Sequence, residues 1–399
     1  MTQTDVTMTV QEVPKGWIKT NLADERYFEI VPSGISKFEG TKKYLSTSSI
    51  VGDKIVSVED EISFEDRPSR ANMEPIEGSV WFAKMKGTLK ILCVDKIISQ
   101  KYILSSGFCG IKPKANVSSR FLKQIFLSKK FNSVKDYLST GSTQQGIGNG
   151  DLSKIIIFLP SLKEQEKIAD ILQNFDEGIN ETNKILSVCI NLKKAELNKI
   201  YTKSSEMTIT DLENCYNVID CKHKTPKYVS EGIPVISPSE VNFEKLETKY
   251  AKKVSQVDYL DLCEKHTPKK GDIIFSRNAS LGVASYIDSN EKLCIGQDTV
   301  IMTSEENNTA YLFFQLQSPH IQNQIGKIGA GSTFKRINLK DIKKLKIVTT
   351  NLSYQKRIAD TFFMIDKRIA IEKENAKSLF SLKNSLMQKL LSGEIRVRV

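Results

Sequence analysis

Three histidines serve 399 residues, and the seven cysteines fall at no regular spacing. So few imidazoles leave little room for histidine-based acid–base or metal chemistry, and an odd, irregular cysteine set points to reduced thiols rather than a disulfide framework. The nearest metal-like group, Cys215, Cys221, Cys263 and His266, has five residues between its first two cysteines, the wrong spacing for a zinc knuckle. No apolar run approaches the roughly 20 residues a bilayer span needs. Residues 1–13 lack the positive, apolar, small-residue order of a secretory signal, so a cytoplasmic address and no membrane partner are expected. Also missing are a Gly-x-x-x-x-Gly-Lys-[Ser/Thr] phosphate loop, a strand-following Gly-x-Gly-x-x-Gly, and the Asn-Pro-Pro-aromatic motif with which amino-methyltransferases hold a base. No catalytic, cofactor-binding or metal-ligating residue is therefore assigned. The acidic stretches Glu59-Asp60-Glu61 and Glu305-Glu306 read as solvated turns.

What the chain does have is positive charge and a repeat. A formal net charge of +11 and a pI near 9.1 point to a polyanionic partner, because arrayed Lys and Arg gain from displacing the counterions of phosphates. The stretch from Gly141-Ser142-Thr143 to Lys193 recurs 190 residues later, from Gly331-Ser332-Thr333 to Lys383, in register and without a gap. Matched positions include Asp151/Asp341, Gln165/Gln355, Ile168-Ala169-Asp170/Ile358-Ala359-Asp360, Asp176/Asp366 and Ile179/Ile369. A tandem duplication of this size implies two similar domains about an approximate two-fold axis, and a partner that is itself two-fold or bipartite.

Each copy divides into a strand-rich mixed part and a long helical part. In the first mixed part, strands are expected at 54–58, 79–83 and 90–94, and a helix at 119–137. The second reads alike, with strands at 234–237, 272–276, 281–287 and 299–303 and a helix at 310–325. Leu122 pairs with Leu312 and Ser128 with Ser318 at the same offset. With shifted spacing, Gly78-Ser79-Val80-Trp81-Phe82 answers Gly271-Asp272-Ile273-Ile274-Phe275.

Ser161-Leu162-Lys163-Glu164 has the form of a capping box and starts the first long helix; Asn351 takes the cap position in the second copy. From there apolar residues step by four and three: Ile168, Leu172, Phe175, Ile179 and Leu186, then Ile358, Phe362, Ile365, Ile369, Ala376 and Leu379. That is a coiled-coil seam. Both copies break it at equivalent positions, Thr182/Glu372 and Lys193/Lys383, as two helices packed against each other would. The second helix is expected to stop at Gly393. Near forty residues make a rod of roughly 60 Å, longer than a DNA turn of about 34 Å. The divisions are residues 1–160, a mixed domain; 161–203, a helical spacer; 204–350, a second mixed domain; and 351–399, a C-terminal helical spacer and tail.

The polar inventory suits nucleic acid. Arg67, Arg70, Lys84 and Lys86 cluster around the strand at Trp81-Phe82, and Gln144-Gln145 follow the first Gly-Ser-Thr. Lys222-His223-Lys224, Arg277-Asn278 and Lys335-Arg336 take comparable places in the second copy. Arg matches guanine edges and Gln or Asn adenine edges, whereas Lys more often holds phosphates. Similar places carry residues of different identity, as expected of one scaffold reading two short sequences.

The repeated signature, Leu162-Lys-Glu-Gln165-Glu-Lys-Ile168-Ala169-Asp170 and Leu352-Ser-Tyr-Gln355-Lys-Arg-Ile358-Ala359-Asp360, resembles the specificity (S) subunit of type I restriction-modification systems. So does the ending Leu386-Met387-Gln388-Lys389-Leu390-Leu391-Ser392-Gly393-Glu394-Ile395. The first mixed domain departs from the usual pattern, with Gly78-Ser79-Val80-Trp81-Phe82-Ala83-Lys84 where Gly271 to Arg277 looks typical. The resemblance implies an α+β fold: two mixed α/β target-recognition domains separated by two long helices forming an antiparallel coiled coil, a pseudo-two-fold tandem repeat. It implies a prokaryotic, non-catalytic subunit that binds double-stranded DNA at a bipartite target. Its partners would be two methylation subunits using S-adenosylmethionine for adenine-N6 methylation and two restriction subunits using ATP and Mg. Two other readings stand beside it: a coiled-coil interaction scaffold without DNA binding, and a self-contained methyltransferase or nuclease.

Overall fold

The computed structural model describes residues 12–58, 61–141, 145–201, 207–330 and 336–398. They form two compact units: residues 1–181 with 376–399, and residues 182–375. Each unit thus takes in part of both long helices, Leu162–Lys199 and Leu352–Ser392.

In the first unit a four-stranded antiparallel sheet runs in the order Phe28–Ile30, Phe108–Pro113, Val80–Ala83, Ile91–Cys93. A second sheet runs Glu61–Ile62, Lys42–Leu45, Tyr102–Ser105, Ala71–Met73, with its middle pair parallel. The pair Ile18–Asn21 and Ile156–Leu159 closes the domain, Ile18 opposite Leu159. The second unit repeats the plan. Its antiparallel sheet is Asn217–Asp220, Thr299–Thr303, Ile273–Ser276, Ala284–Tyr286. Its closing pair puts Thr208 opposite Thr349, each 190 residues beyond its counterpart.

The expected single helices at 119–137 and 310–325 are each broken in two, into Ser119–Leu127 and Lys129–Leu138, and Thr309–Leu316 and Pro319–Ala330. The repeated serine is the reason. Ser128 Oγ accepts the Phe131 amide and Ser318 Oγ the Ile321 amide, so each starts a new helix, and Pro319 adds a fixed φ at the first position. The apolar pattern crosses the break because both helices face one core: Phe82, Phe126 and Phe131 contact one another with ring centroids 4.6–5.1 Å apart. The strand expected at 54–58 is shorter, Lys54–Ile55, half of a two-residue hairpin with Ile50–Val51.

The long helices begin where expected, with Ser161 Oγ accepting from Glu164 N and Asn351 Oδ1 from Tyr354 N. The reciprocal half of the capping box is replaced, because the Glu164 carboxylate is drawn instead to the Arg396 guanidinium and the Trp17 indole N–H. Gly393 stops the second helix at φ +74°. The repeated glutamines clamp each helix to its unit. Gln165 Oε1 accepts the Ser118 amide and its Nε2 donates to the Asn116 and Pro160 carbonyls. Gln355 Oε1 accepts the Asn308 amide, and its Nε2 donates to Asn307 Oδ1 and the Thr350 carbonyl. Ser118 and Asn308 are themselves helix caps.

Within each unit the two helical segments run antiparallel. Asp176 pairs with Lys383 at 2.6 Å in the first, and Lys193 with Asp366 at 2.6 Å in the second. These are equivalent positions of the two copies, so one ion pair is made twice, each time between the aspartate of one copy and the lysine of the other. The expected breaks in the seam are polar seam positions: Glu372 and Lys383 are buried, and Glu372 meets Arg368 at 2.6 Å. The eleven seam residues named from Ile168 to Leu379 are all buried or half-buried. The core of the first unit joins Phe121, Phe126 and Phe131 to Ile168 and Leu172 of one helix and Met387 and Leu390 of the other. That of the second joins Phe275 and Phe314 to Leu197 and Ile200, and to Phe362. The helices are therefore parts of the domain cores and not detachable rods.

One pair of equivalent positions is filled unequally. In the second unit Tyr201 stacks on His320 with ring centroids 4.0 Å apart and donates to Gln315 Oε1. Its counterpart in the first unit is Leu391, on the wall of a cleft of about 450 Å³ lined also by Ile125, Phe131, Val134, Ile157 and Phe158. Ile125 stands where Gln315 stands, so the ring can be supplied but its hydroxyl has no partner. Leu391→Phe is expected to stabilise the first unit by about 1 kcal/mol, read as a rise in the thermal midpoint; a fall would mean that the cleft rejects the ring.

The hairpin turn carries Asp53, whose carboxylate meets Lys123 Nζ at 2.7 Å. Burial opposes the charge on Asp53, but the hydrogen bond and charge of Lys123, with a contribution from Lys383, outweigh it and hold the carboxyl below its ordinary 3.8. Burial likewise opposes charge on Lys123, and Asp53 outweighs it, holding the amine above 10.5. The Asp53 contribution is thus present above its unfolded value and lost as pH falls through the folded one, while the Lys123 contribution is lost as pH rises through its folded value. Comparing wild type with Lys123→Met in urea should show a stability gap that is widest near neutral pH and closes below about pH 4. A gap independent of pH would contradict this.

Among the described residues no helix is long and apolar enough to cross a membrane. All seven cysteines are free thiols.

Candidate nucleic-acid interface

In the first unit the strand Val80–Ala83 runs out into Lys84. The Lys84 amide donates to the Gly107 carbonyl at 2.9 Å, and its carbonyl accepts from the Ile147 amide at 3.0 Å, a few residues beyond the first Gly-Ser-Thr in sequence. Lys86 N donates to the Gln145 carbonyl at 3.0 Å, and Lys86 Nζ to Gln145 Oε1 at 2.9 Å. The Ser106-Gly107 turn that holds the Lys84 amide also donates from Ser106 N to the Arg70 carbonyl at 2.8 Å. Arg70, Lys84, Lys86 and Gln145 are thereby brought to one edge. Arg67 turns back on its own loop, its guanidinium 4.3 Å from the Phe64 ring centroid and donating to the Phe64 carbonyl. Gln144 lies outside the described residues.

This edge is fixed from beneath by Lys135, which is fully buried. Its Nζ donates to the Met85 carbonyl at 2.9 Å and the Thr88 carbonyl at 2.7 Å, and Asp136 Oδ1 accepts the Gly87 amide at 3.0 Å. A buried ammonium with two carbonyls and the Asp136 carboxylate 3.1 Å away is satisfied, and it sets the turn that carries Lys86.

The second unit builds the same junction. The strand Ile273–Ser276 runs into Arg277, whose amide donates to the Asp298 carbonyl at 2.9 Å and whose carbonyl accepts from Ile337 N at 2.9 Å. Here the side chains go elsewhere. Arg277 is buried, with Nε on the Ile337 carbonyl at 3.0 Å and Nη1 on Asp220 Oδ1 at 2.7 Å, so it braces the junction from inside. Asn278 is exposed and bridged to Arg336 through backbone pairing. Lys222 meets Asp261 and Glu264, and Lys224 meets Asp261 at 2.9 Å. The hydrogen bonds that Lys222 donates to those two carboxylates hold its amine above the ordinary lysine value, and the two lysines in turn hold Asp261 below the ordinary carboxylate value. Their charge is met locally. Lys335 lies outside the described residues.

Among the described residues one trio of metal-capable side chains converges, Asp220, Cys221 and His223. His223 presents Nδ1 to Cys221 Sγ at 3.8 Å and Nε2 to Asp220 Oδ2 at 3.1 Å. Arg277 also sets its guanidinium against Asp220. The trio is a hydrogen-bonded chain. Of the metal-like set considered from sequence, His266 is held by Asp272 at 2.7 Å, and Cys263 packs against Val235, Val254 and Cys294.

Sequence reading missed three contributors: Lys135, Asp220 and the pair Gly107/Asp298. Lys135 lies within an amphipathic helix as one more polar residue. The signal for Gly107 and Asp298 is positional: each is the residue before the strand that pairs with the junction strand, Phe108 opposite Ala83 and Thr299 opposite Ser276.

Comparison with known proteins was made on the whole chain. The family model described as type I restriction modification DNA specificity domain matches twice, over residues 36–189 and 204–379. The type I restriction enzyme MjaVIII specificity subunit of Methanocaldococcus jannaschii is 25% identical over 328 residues, 75% of this chain and 76% of that one. In fold, the crystal structure of the S subunit of a type I restriction-modification system from M. genitalium superposes with a TM-score of 0.61 at 16% identity, covering 95% of this chain and 99% of that one. The HsdS subunit of Thermoanaerobacter tengcongensis does so with a TM-score of 0.52 at 20% identity, covering 97% and 99%.

Proposed function

This chain belongs to the type I restriction-modification DNA specificity family, and on that premise we propose that it is the non-catalytic subunit that chooses the DNA target of a restriction-modification complex. Each mixed domain reads one half of a bipartite site in the major groove, and the long helices set the non-specific gap between the halves. The observation that carries this reading is the matched junction. Lys84 and Arg277 make the same two backbone hydrogen bonds in the two units, yet the side chains displayed around them differ: Lys86 and Gln145 in one, Asn278 and Arg336 in the other. One scaffold with two sets of polar ends suits two unlike half-sites.

Methylation and restriction subunits, two of each, would bring the chemistry, the first with S-adenosylmethionine and the second with ATP and Mg. Exposed apolar residues on the helices, Val188 and Leu192 on one and Met364 and Ile371 on the other, are surfaces on which such partners can dock. The scaffold reading without DNA leaves the paired junctions unexplained. The test is single-molecule methylation mapping of DNA from cells expressing this chain with a methylation subunit. A split motif with a constant gap is expected; an unbroken motif, or none, would overturn the reading.

A further inference from the structure

Among the described residues two that are not glycine have positive φ, Ala279 at 56° and Asp298 at 63°. Both lie at the second junction. Alanine gains nothing in that conformation, so strain is concentrated where Asn278 is displayed. Asp298 is also where the strain is put to use. Its carbonyl holds the Arg277 amide, its Oδ2 accepts from Asn278 Nδ2 at 3.3 Å, and its Oδ1 meets Arg336 Nη2 at 3.1 Å. One half-buried residue thus grips the strand end and two neighbouring side chains from different segments.

The first unit provides the comparison. By strand register Asp298 corresponds to Gly107, whose carbonyl holds the Lys84 amide in the same way. Glycine makes that backbone bond without any side chain. The backbone role therefore does not require a carboxylate, and the carboxylate must be accounted for by what it touches. Arg277 is turned inward, and Lys222 and Lys224 are met by Asp261 and Glu264, which leaves Asn278 and Arg336 as the outward polar pair among the described candidate residues of this junction. Asn and Arg are the side chains that match adenine and guanine edges, and they discriminate only when held at a fixed angle.

We propose that Asp298 is the positioning residue of the second half-site: it fixes Asn278 and Arg336 side by side as one reading unit, and the backbone strain at 298 and 279 is retained to place it. This rests on the specificity-subunit reading above. Arg336 neutralises the carboxylate, so the residue stands at a DNA-facing edge without repelling phosphate.

The test uses the full-length chain co-expressed with its methylation subunit, comparing wild type with Asp298→Gly by methylation mapping and by thermal midpoint. Glycine adopts the positive φ freely and keeps the carbonyl for Arg277, so the midpoint is expected at or above wild type. Preference at the bases read by the second unit should fall on the order of tenfold, with the other half of the motif unchanged. Adding Asn278→Ala to Asp298→Gly should relax the motif by less than the two single effects combined, because both substitutions act on one unit. A split motif that Asp298→Gly leaves intact overturns the inference while the specificity reading stands. A lowered midpoint with both halves weakened equally assigns Asp298 a merely structural role and also overturns it. A wild-type chain with no split motif overturns the specificity reading and this inference together.

Discussion

Gln165→Leu is expected to destabilise the first unit by at least about 3 kcal/mol, the largest effect of any single substitution considered. The reason is what it leaves behind. Leucine matches glutamine roughly in size, but the Ser118 amide and the Pro160 carbonyl lose their partner at a buried site, and the Asn116 carbonyl loses its partner nearer the surface. Each stranded buried group costs about 1–3 kcal/mol, more than the hydrogen bond itself contributed. Gln355→Leu should do the same in the second unit, freeing the Asn308 amide and the Thr350 carbonyl. Urea unfolding followed by tryptophan fluorescence would report the first change directly, since Trp17 and Trp81 both lie in the first unit. A loss below about 1 kcal/mol would show that the clamp is dispensable.

The second large effect concerns the crossed ion pairs. Asp176→Lys puts two ammonium groups where Lys383 now meets a carboxylate, and Lys383 is buried, so the reversal is expected to cost about 2–3 kcal/mol. Lys383→Asp should cost a similar amount. The double reversal restores opposite charges and should recover most of the loss, with a coupling of about 1–3 kcal/mol in the double-mutant cycle. Asp53 and Lys123 stand close enough to feel the change, which is why recovery is expected to be incomplete. Additive single effects would mean that the helices are held by their apolar residues alone.

Features set by neighbours in sequence were legible in advance. Ser161, Asn351 and Gly393 act within one turn of their own helix, and each does what its residue type dictates. The seam residues from Ile168 to Leu379 were legible because a heptad repeats the same local fact many times. Ser128 and Ser318 were matched as a pair, yet their meaning was hidden, since an apolar stripe that continues across a cap looks like one helix. Longer-range partners were not legible. Lys222 and Lys224 read as free positive charge because Asp261 and Glu264 lie 37 to 42 residues away. Arg277 reads as a base-contacting side chain from its place after a strand, and only the fold reveals Asp220 behind it. Asp298 is marked in sequence only by its place before a strand, because its φ and its three partners exist only once two strands and the segment after the second Gly-Ser-Thr are in register. The recurring glutamine was visible as a signature, but its role as a clamp required the distances.

The divergence between the copies follows the same physics. The clamp Gln165/Gln355, which satisfies buried groups, is repeated unchanged, whereas the junction edges differ in every outward side chain. That contrast is the basis for assigning the first set to holding each unit together and the second to recognition. It is tested most directly by replacing residues 14–160 with the corresponding domain of another family member, retaining the helical residues Ile168, Leu172, Met387 and Leu390 that complete its core, and mapping methylation in the resulting complex. The account predicts a split motif in which one half is new while the other half and the gap are those of the parent. A motif changed in both halves, or in neither, would contradict it.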